Sequence, residues 1–193
     1  MHDLISRADV AELNLCLRLH GLSEREAINR LFGVVSRLGD GVLWYTLMAI
    51  IALAGGVAAS VAMLHIGLTA LVGVMIYSQL KSRLVRQRPF ISHDRITCRK
   101  APLDQYSFPS GHTLHAVLFT TMFFHYVPVL GLVVLPFALL VALSRVVLGL
   151  HYPSDVIVGA ILGAVLAILS LQGFAMPVVE FPASFAGWTQ AWV

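Results

Sequence analysis

The stretch VLWYTLMAIIALAGGVAASVAMLHIGLTALVGVMIYSQL, from Val42 to Leu80, runs for 39 residues without Asp, Glu, Lys or Arg. One membrane-crossing helix takes about 20 residues, so this run is too long for one crossing and suits two. Gly55-Gly56 and the small residues up to Ser60 lower helix propensity near its middle and place the turn there. Lys81 closes the second crossing. Further along, a third crossing is expected from Ser110 to about Val127, stopping at Pro128. A fourth runs from Val129 to about Leu150, with Pro136 expected to kink it. A fifth runs from Ser154 to Leu171, where Gly159 and Gly163 form a GxxxG that permits close helix contact.

The composition agrees. Of 193 residues, 58% are hydrophobic and 12% charged, against about 25% charged in soluble domains, and the mean hydropathy is +0.83. An ordinary cytosolic enzyme and a disordered chain are both excluded. The expected fold is all-α, a polytopic membrane bundle of five to six helices whose transmembrane core occupies residues 41–172. Residues 1–40 carry Arg7, Arg18, Arg25, Arg30 and Arg37 among apolar residues, which predicts amphipathic helices on the membrane surface. Ser23, with Glu26 three residues on, reads as a capping box. No uninterrupted apolar segment follows the start, so a cleavable secretory signal is not expected. The tail, 173–193, holds Trp188 and Trp192, which suit an interfacial aromatic belt. Cys16 and Cys98 supply neither a disulfide framework nor a zinc motif.

Counting crossings turns the string into geometry. The second crossing delivers Lys81 to one membrane face, and the third leaves from that face at Ser110. The third and fourth together make a round trip, so Arg145 and His151 return to the face that holds Lys81 and His112. All 13 Lys and Arg residues fall in 1–41, in 81–109 or at Arg145, on that same face. Three polar clusters, distant in sequence, are thereby predicted to meet.

The first cluster is KSRLVRQRP, Lys81 to Pro89. If the helix continues past Lys81, Arg88 lies two turns on along the same face and Pro89 ends the helix. An Arg fork and a Lys point charge aimed at one spot suit a phosphate, although a cuff anchoring the helix end in headgroups uses the same residues. The second cluster is Phe108-Pro109-Ser110-Gly111-His112 at a helix start. Unpaired backbone N–H groups and the dipole make such an end an anion site. Gly111 lets a ligand approach, and His112 brings a titratable ring to a depth where one is costly unless used; a plain capped helix remains the alternative. The third cluster runs from Ser144-Arg145 to His151-Tyr152-Pro153-Ser154-Asp155. Arg145 ends an apolar crossing and needs an anionic partner. Pro153 suits the first position of the next helix, which puts Asp155 in its first turn, within reach of His151. A carboxylate holding one imidazole nitrogen leaves the other free as a nucleophile. Together the cations, helix start and two histidines form a phosphoryl-transfer set.

These residues resemble the three-part signature of the type 2 phosphatidic acid phosphatase (PAP2) superfamily: Lys81-x6-Arg88-Pro89, Pro109-Ser110-Gly111-His112 and Ser144-Arg145-x5-His151-x3-Asp155. The resemblance implies an integral-membrane phosphatase that uses no metal or other cofactor. His151 would attack phosphorus to form a phosphohistidine, Asp155 would orient it, and His112 would protonate the leaving oxygen before water releases phosphate. Lys81, Arg88, Ser110, Gly111 and Arg145 would bind the phosphoryl oxygens. Expected substrates are lipid phosphates or diphosphates entering from the bilayer, such as undecaprenyl diphosphate, phosphatidylglycerophosphate or phosphatidic acid; no nucleic-acid partner is expected. Membrane members usually show six crossings against the five counted here, and a re-entrant or surface helix in 1–40 is expected instead of the sixth.

Two other functions share the pocket: a lipid-phosphate binder or transporter, and a vanadate-type haloperoxidase, against which the apolar composition argues. The positive-inside rule places the basic face in the cytoplasm, whereas the resemblance favours an extracytoplasmic site in the cell membrane. His65, His115 and His125 read as packing or interfacial residues, with His115, one turn beyond His112, the candidate for a supporting role. Asp104 and Tyr106 are candidates to touch a headgroup.

Overall fold

The computed structural model describes residues 2–102 and 104–174, so the expected interfacial tail with Trp188 and Trp192 lies outside the described residues. Among the described residues all regular structure is helical. The helices are α1 (His2–Gly21), α2 (Glu26–Arg37), α3 (Leu43–Ala54), α4 (Gly56–Leu84), α5 (Pro89–Ser92), α6 (Gly111–Tyr126), α7 (Pro128–Val147) and α8 (Pro153–Gly173).

Among the described residues four stretches are long and apolar enough to cross a membrane: Glu26–Ala54, Gly56–Ser92, Pro128–Val147 and Pro153–Gly173. Large apolar side chains such as Leu53, Val57, Leu132 and Val133 face outward, as lipid permits and water does not. The α3–α4 turn falls at Gly55-Gly56 as the composition predicts, and α7 continues through Pro136 without a break. The remaining expected crossing, α6, has only 16 residues, about 24 Å at 1.5 Å per residue. It is the axis of the bundle, packed against α4, α7 and α8 with most of its side chains buried.

Apolar side chains have no preference for protein over lipid tails, so helices in a bilayer associate through close packing and hydrogen bonds. The GxxxG of α8 supplies the first. A Cβ at Gly159 would meet the Ser110 carbonyl oxygen at 2.5 Å, and one at Gly163 would collide with the Leu114 carbonyl. The α8 backbone therefore lies directly on α6, and Ser110 N–H donates to the Asp155 carbonyl at 3.0 Å. Trp44 joins α3 to the same axis, stacked on Phe119 at 5.3 Å, with its indole N–H donating to the Gly39 carbonyl at 3.2 Å.

Two local expectations are corrected. Helix α2 does not start at Ser23: a 3-10 turn, Leu22–Glu24, intervenes, Arg25 is the N-cap, and no side chain caps the helix. Ser23 is buried and accepts from Arg99 Nε at 3.3 Å. Between α2 and α3 the chain turns at Leu38–Val42, where Gly41 (φ 124°) forms a non-helical kink. Finally, α4 stops at Leu84, where Val85 adopts a left-handed conformation (φ 41°). Residues 85–88 are not helical, and Pro89 opens α5 rather than ending α4.

Helix α1 is docked by Leu13, Cys16 and Leu17 against Ile96, Val146 and Val156, and burial pushes the Cys16 thiol up to about 12. His20 pins its end: Thr97 N–H donates to Nε2 at 3.1 Å, which leaves the other ring nitrogen to donate to the Val147 carbonyl at 3.0 Å. The turn after α7 passes beneath this contact at Gly149 (φ +73°), where a Cβ would meet Ile96 Cγ2 at 2.7 Å.

Candidate active site

Lys81 reaches the site from the last turn of α4, and the left-handed turn at Val85 brings Arg88 back beside it along non-helical chain. Arg145 arrives from the last turn of α7, His151 from the link to α8, and Gly111 and His112 from the start of α6. All six line one cavity of about 160 Å³, together with Asp40, Tyr77, Asp104 and the aromatic wall of Trp44, Tyr45 and Phe119. The three clusters predicted to converge do converge. Ser110 and Asp155 do not line the cavity; both are buried behind it. Ser110 caps α6, accepting from Thr113 N–H at 3.4 Å.

His151 is 1% exposed, and its tautomer follows from its neighbours. An Arg guanidinium can only donate, and Arg88 NH1 lies 3.3 Å from His151 Nε2. Nε2 therefore accepts, and the ring proton sits on Nδ1. That side faces Ser107 Oγ at 3.4 Å and Asp155 Oδ2 at 3.7 Å, and Ser107 Oγ itself donates to Asp155 Oδ2. Ser107 Oγ thus bridges the ring to Asp155, whose Oδ2 at 3.7 Å lies beyond direct hydrogen-bond distance. Burial, then the charges of Arg145, Arg88 and Lys81, hold the His151 imidazole well below its ordinary range. It is neutral at neutral pH, with its Nε2 lone pair turned towards the cations.

Two carboxylates sit on the opposite side of the ledger of charge. Asp104 bridges Lys81 and Arg88: Lys81 Nζ donates to both its oxygens at 2.8 and 2.7 Å, and Arg88 NH2 to Oδ1 at 2.8 Å. Burial works against its ionisation, but Lys81 and then Arg88 outweigh it and hold the carboxyl below the usual range. Asp40, carried into the cavity by the kinked turn between α2 and α3, lies 3.3 Å from His112 Nε2. Arg145 has no such partner. Its NH1 donates to Ser36 Oγ at 2.6 Å, and its Nε is buried without any hydrogen-bond partner among the described residues. A buried guanidinium nitrogen left unsatisfied costs free energy and marks a place where an acceptor from outside belongs.

His115 takes the supporting place considered for it, between the Gly111 carbonyl at 3.1 Å and the Ala70 carbonyl at 3.2 Å, on the cavity wall. His65 and Tyr106 lie outside the cavity lining. The sequence reading missed Asp40, Ser107 and Arg86, the last donating to Asp155 Oδ1 at 2.6 Å. Asp40 and Ser107 sit in segments with no spacing signal. Arg86 stood in view, two residues before Arg88, and counting it as a third cation of its cluster would have flagged it.

Residues 62–177 match the PAP2 superfamily. The chain is 34% identical over 116 residues to the lipid A 1-phosphatase of Rhizobium johnstonii, an alignment covering 58% of this chain and 48% of the relative. It thus spans about half the length of that curated relative. It is 26% identical over 151 residues to the undecaprenyl-diphosphatase BcrC of Bacillus subtilis, covering 78% of each. The crystal structure of Aquifex aeolicus LpxE superposes with a TM-score of 0.73 at 24% identity, over 83% of this chain and 94% of that one, and shares the fold. The family match takes in α6, α7 and α8 and every signature position, and the helical bundle brings Lys81, Arg88, Gly111, His112, Arg145 and His151 to one cavity: the chain belongs to the PAP2 superfamily.

Proposed function

We propose that this protein is an integral-membrane lipid phosphatase acting through a phosphohistidine at His151. The observation that carries the reading is the cavity itself: three cations, two histidines and a helix start from three remote segments surround one small space. Within it an Arg145 nitrogen lacks a partner and a carboxylate already rests on Lys81 and Arg88. That arrangement suits a tetrahedral oxyanion.

In the proposed reaction, phosphoryl oxygens displace Asp104 from Lys81 and Arg88 and satisfy Arg145 Nε. His151 Nε2 attacks phosphorus in line with the bond to the lipid oxygen. The Nδ1 proton stays hydrogen-bonded to Ser107, which with the Asp155 carboxylate behind it stabilises the positive charge the ring acquires. His112, as the imidazolium paired with Asp40, gives its extra proton to the leaving oxygen and, now neutral, takes one from the water that hydrolyses the P–N bond. Catalysis is chiefly positioning and charge stabilisation. The aromatic wall of Trp44, Tyr45, Tyr77 and Phe119 suits the apolar part of a lipid next to its phosphate.

The substrate class is a lipid phosphate or diphosphate: undecaprenyl diphosphate, phosphatidylglycerophosphate, phosphatidic acid or, from the name of the rhizobial relative, a lipid A 1-phosphate. An extracytoplasmic active site in the cell membrane belongs to the same reading. Phosphate release by purified protein across that panel tests the reading. Turnover of at least one lipid, lost in both His151→Ala and His112→Ala, is expected. No release from any, or undiminished release by both variants, overturns it.

A further inference from the structure

Asp155 is fully buried and supports His151, yet its other oxygen is held by a residue outside the family signature. Arg86 NH1 donates to Asp155 Oδ1 at 2.6 Å and to Ser154 Oγ at 2.7 Å. The Arg86 carbonyl also accepts from Ser107 N–H at 2.8 Å, so one residue fixes both groups that face His151 Nδ1, the carboxylate by its side chain and the hydroxyl by its backbone. Arg86 is itself clamped. The Tyr152 ring lies on its guanidinium, 4.1 Å from the centroid, a favourable cation–π placement. Its NH2 donates to Glu12 Oε2 at 2.8 Å, and Glu12 Oε1 accepts from Ser154 N–H at 2.7 Å, one of the unpaired amides at the start of α8.

Glu12 belongs to α1, fifty residues before the family match begins at residue 62. Its side chain is 16% exposed, where an ion pair is worth more than on an open surface. Helix α1 is seated there by Leu13, Cys16 and Leu17, so the contact is part of a docked helix.

We infer that Glu12 and Arg86 form a relay that positions the His151–Asp155 dyad, making the N-terminal helix α1 a working part of the active site. Neither touches the cavity; both act through Asp155 and Ser107. The inference rests on the phosphatase reading for its consequence in turnover, and on geometry alone for its effect on His151.

The test uses full-length protein and two readouts: steady-state release of phosphate from a lipid that the wild type hydrolyses, and affinity for orthovanadate followed by thermal shift. Vanadate is a mimic of five-coordinate phosphorus and needs a correctly aimed His151 nitrogen but no turnover. Arg86→Gln is expected to lower kcat about 10- to 100-fold, the range found when a residue orienting a reactive ligand from behind is lost. KM should stay within about twofold, and vanadate affinity should fall in step with kcat. Glu12→Gln should fall the same way but less, and the double variant no further than Arg86→Gln alone, because both act through one ion pair. Arg86→Lys and millimolar guanidinium added to Arg86→Ala should each restore part of the loss, which a merely structural defect would not allow. Unchanged kcat and vanadate affinity in Arg86→Gln, an effect confined to KM, or strictly additive losses without rescue would each overturn the relay. If Arg86 variants fail to fold, Glu12→Gln decides by the same two readouts. A wild type that binds vanadate but releases no phosphate would sink the phosphatase reading, while the vanadate series still judges the relay.

Discussion

Helix α4 carries two buried polar knots about 24 Å apart along its axis at 1.5 Å per residue, one at His65 and one at Lys81. Around His65, Nδ1 pairs with Tyr126 OH at 2.6 Å and Nε2 with Ser170 Oγ at 2.7 Å, while Thr69 Oγ1 meets Ser170 Oγ at 2.7 Å. Every partner there is a neutral hydroxyl, and both ring nitrogens are occupied. Around Lys81 the histidines face Arg88, Asp40 and Asp155, the charges are closely spaced, and an Arg145 nitrogen goes unpartnered. Burial is common to both knots. What separates them is satisfaction: the His65 group is closed and joins α4, α6 and α8 as interhelical glue, while the Lys81 group leaves an Arg145 nitrogen open for the anion proposed above.

Perturbing each knot should therefore yield different losses. The largest belongs to His151→Ala, which removes the proposed nucleophile; kcat should fall by about 10⁴-fold or more, and comparable turnover would erase the distinction. His112→Ala should cost about 10²- to 10⁴-fold, with the smallest deficit on substrates whose leaving oxygen needs no proton. Asp104→Asn should act in the opposite sense. The bound phosphate must displace a carboxylate whose charged hydrogen bonds are each worth about 1.5–3 kcal/mol, so losing that competitor should tighten inhibition by inorganic phosphate about tenfold. A weakened inhibition would instead make Asp104 an organiser of Lys81 and Arg88. Smallest is Ser170→Ala in the other knot: kcat within about twofold, and stability lowered by about 0.6–2 kcal/mol, the worth of hydrogen bonds between membrane helices, read as a lower melting temperature.

Acidity distinguishes the knots as well. The folded His151 stays neutral far below pH 6.5, so the acid limb of kcat/KM assigned to its protonation should lie well under that value. A break at or above pH 6.5 would contradict its placement among Arg145, Arg88 and Lys81. In the unfolded chain His151 binds a proton below about pH 6.5 while the folded one does not. Stability from this group is thus full above pH 6.5 and falls as the pH drops below it.

The helices and the signature were legible because lipid imposes long apolar runs and because charge inside such runs is too costly to be accidental. Crossing parity puts Lys81, His112, Arg145 and His151 on one face, where the cavity lies. The register of the pieces was not legible. Nothing local marks the left-handed residue at Val85, so Arg88 was expected on a continuing helix, and nothing in Ser23-Glu24-Arg25-Glu26 reveals that a 3-10 turn displaces the cap. Asp40, Ser107 and Glu12 acquire meaning only from chain that is distant in sequence. Asp104 was singled out for a headgroup and sits on the cations that would hold one.

The account stands on His151 Nε2 being the atom that takes phosphorus. Brief incubation with a lipid labelled in its phosphate, followed by denaturation in alkali and peptide mapping, reads this directly. A label on the peptide holding His151, stable to alkali, released by acid and missing from His151→Ala, is the predicted result. Phosphate turnover with no label on that peptide, or a label that persists in His151→Ala, would contradict it.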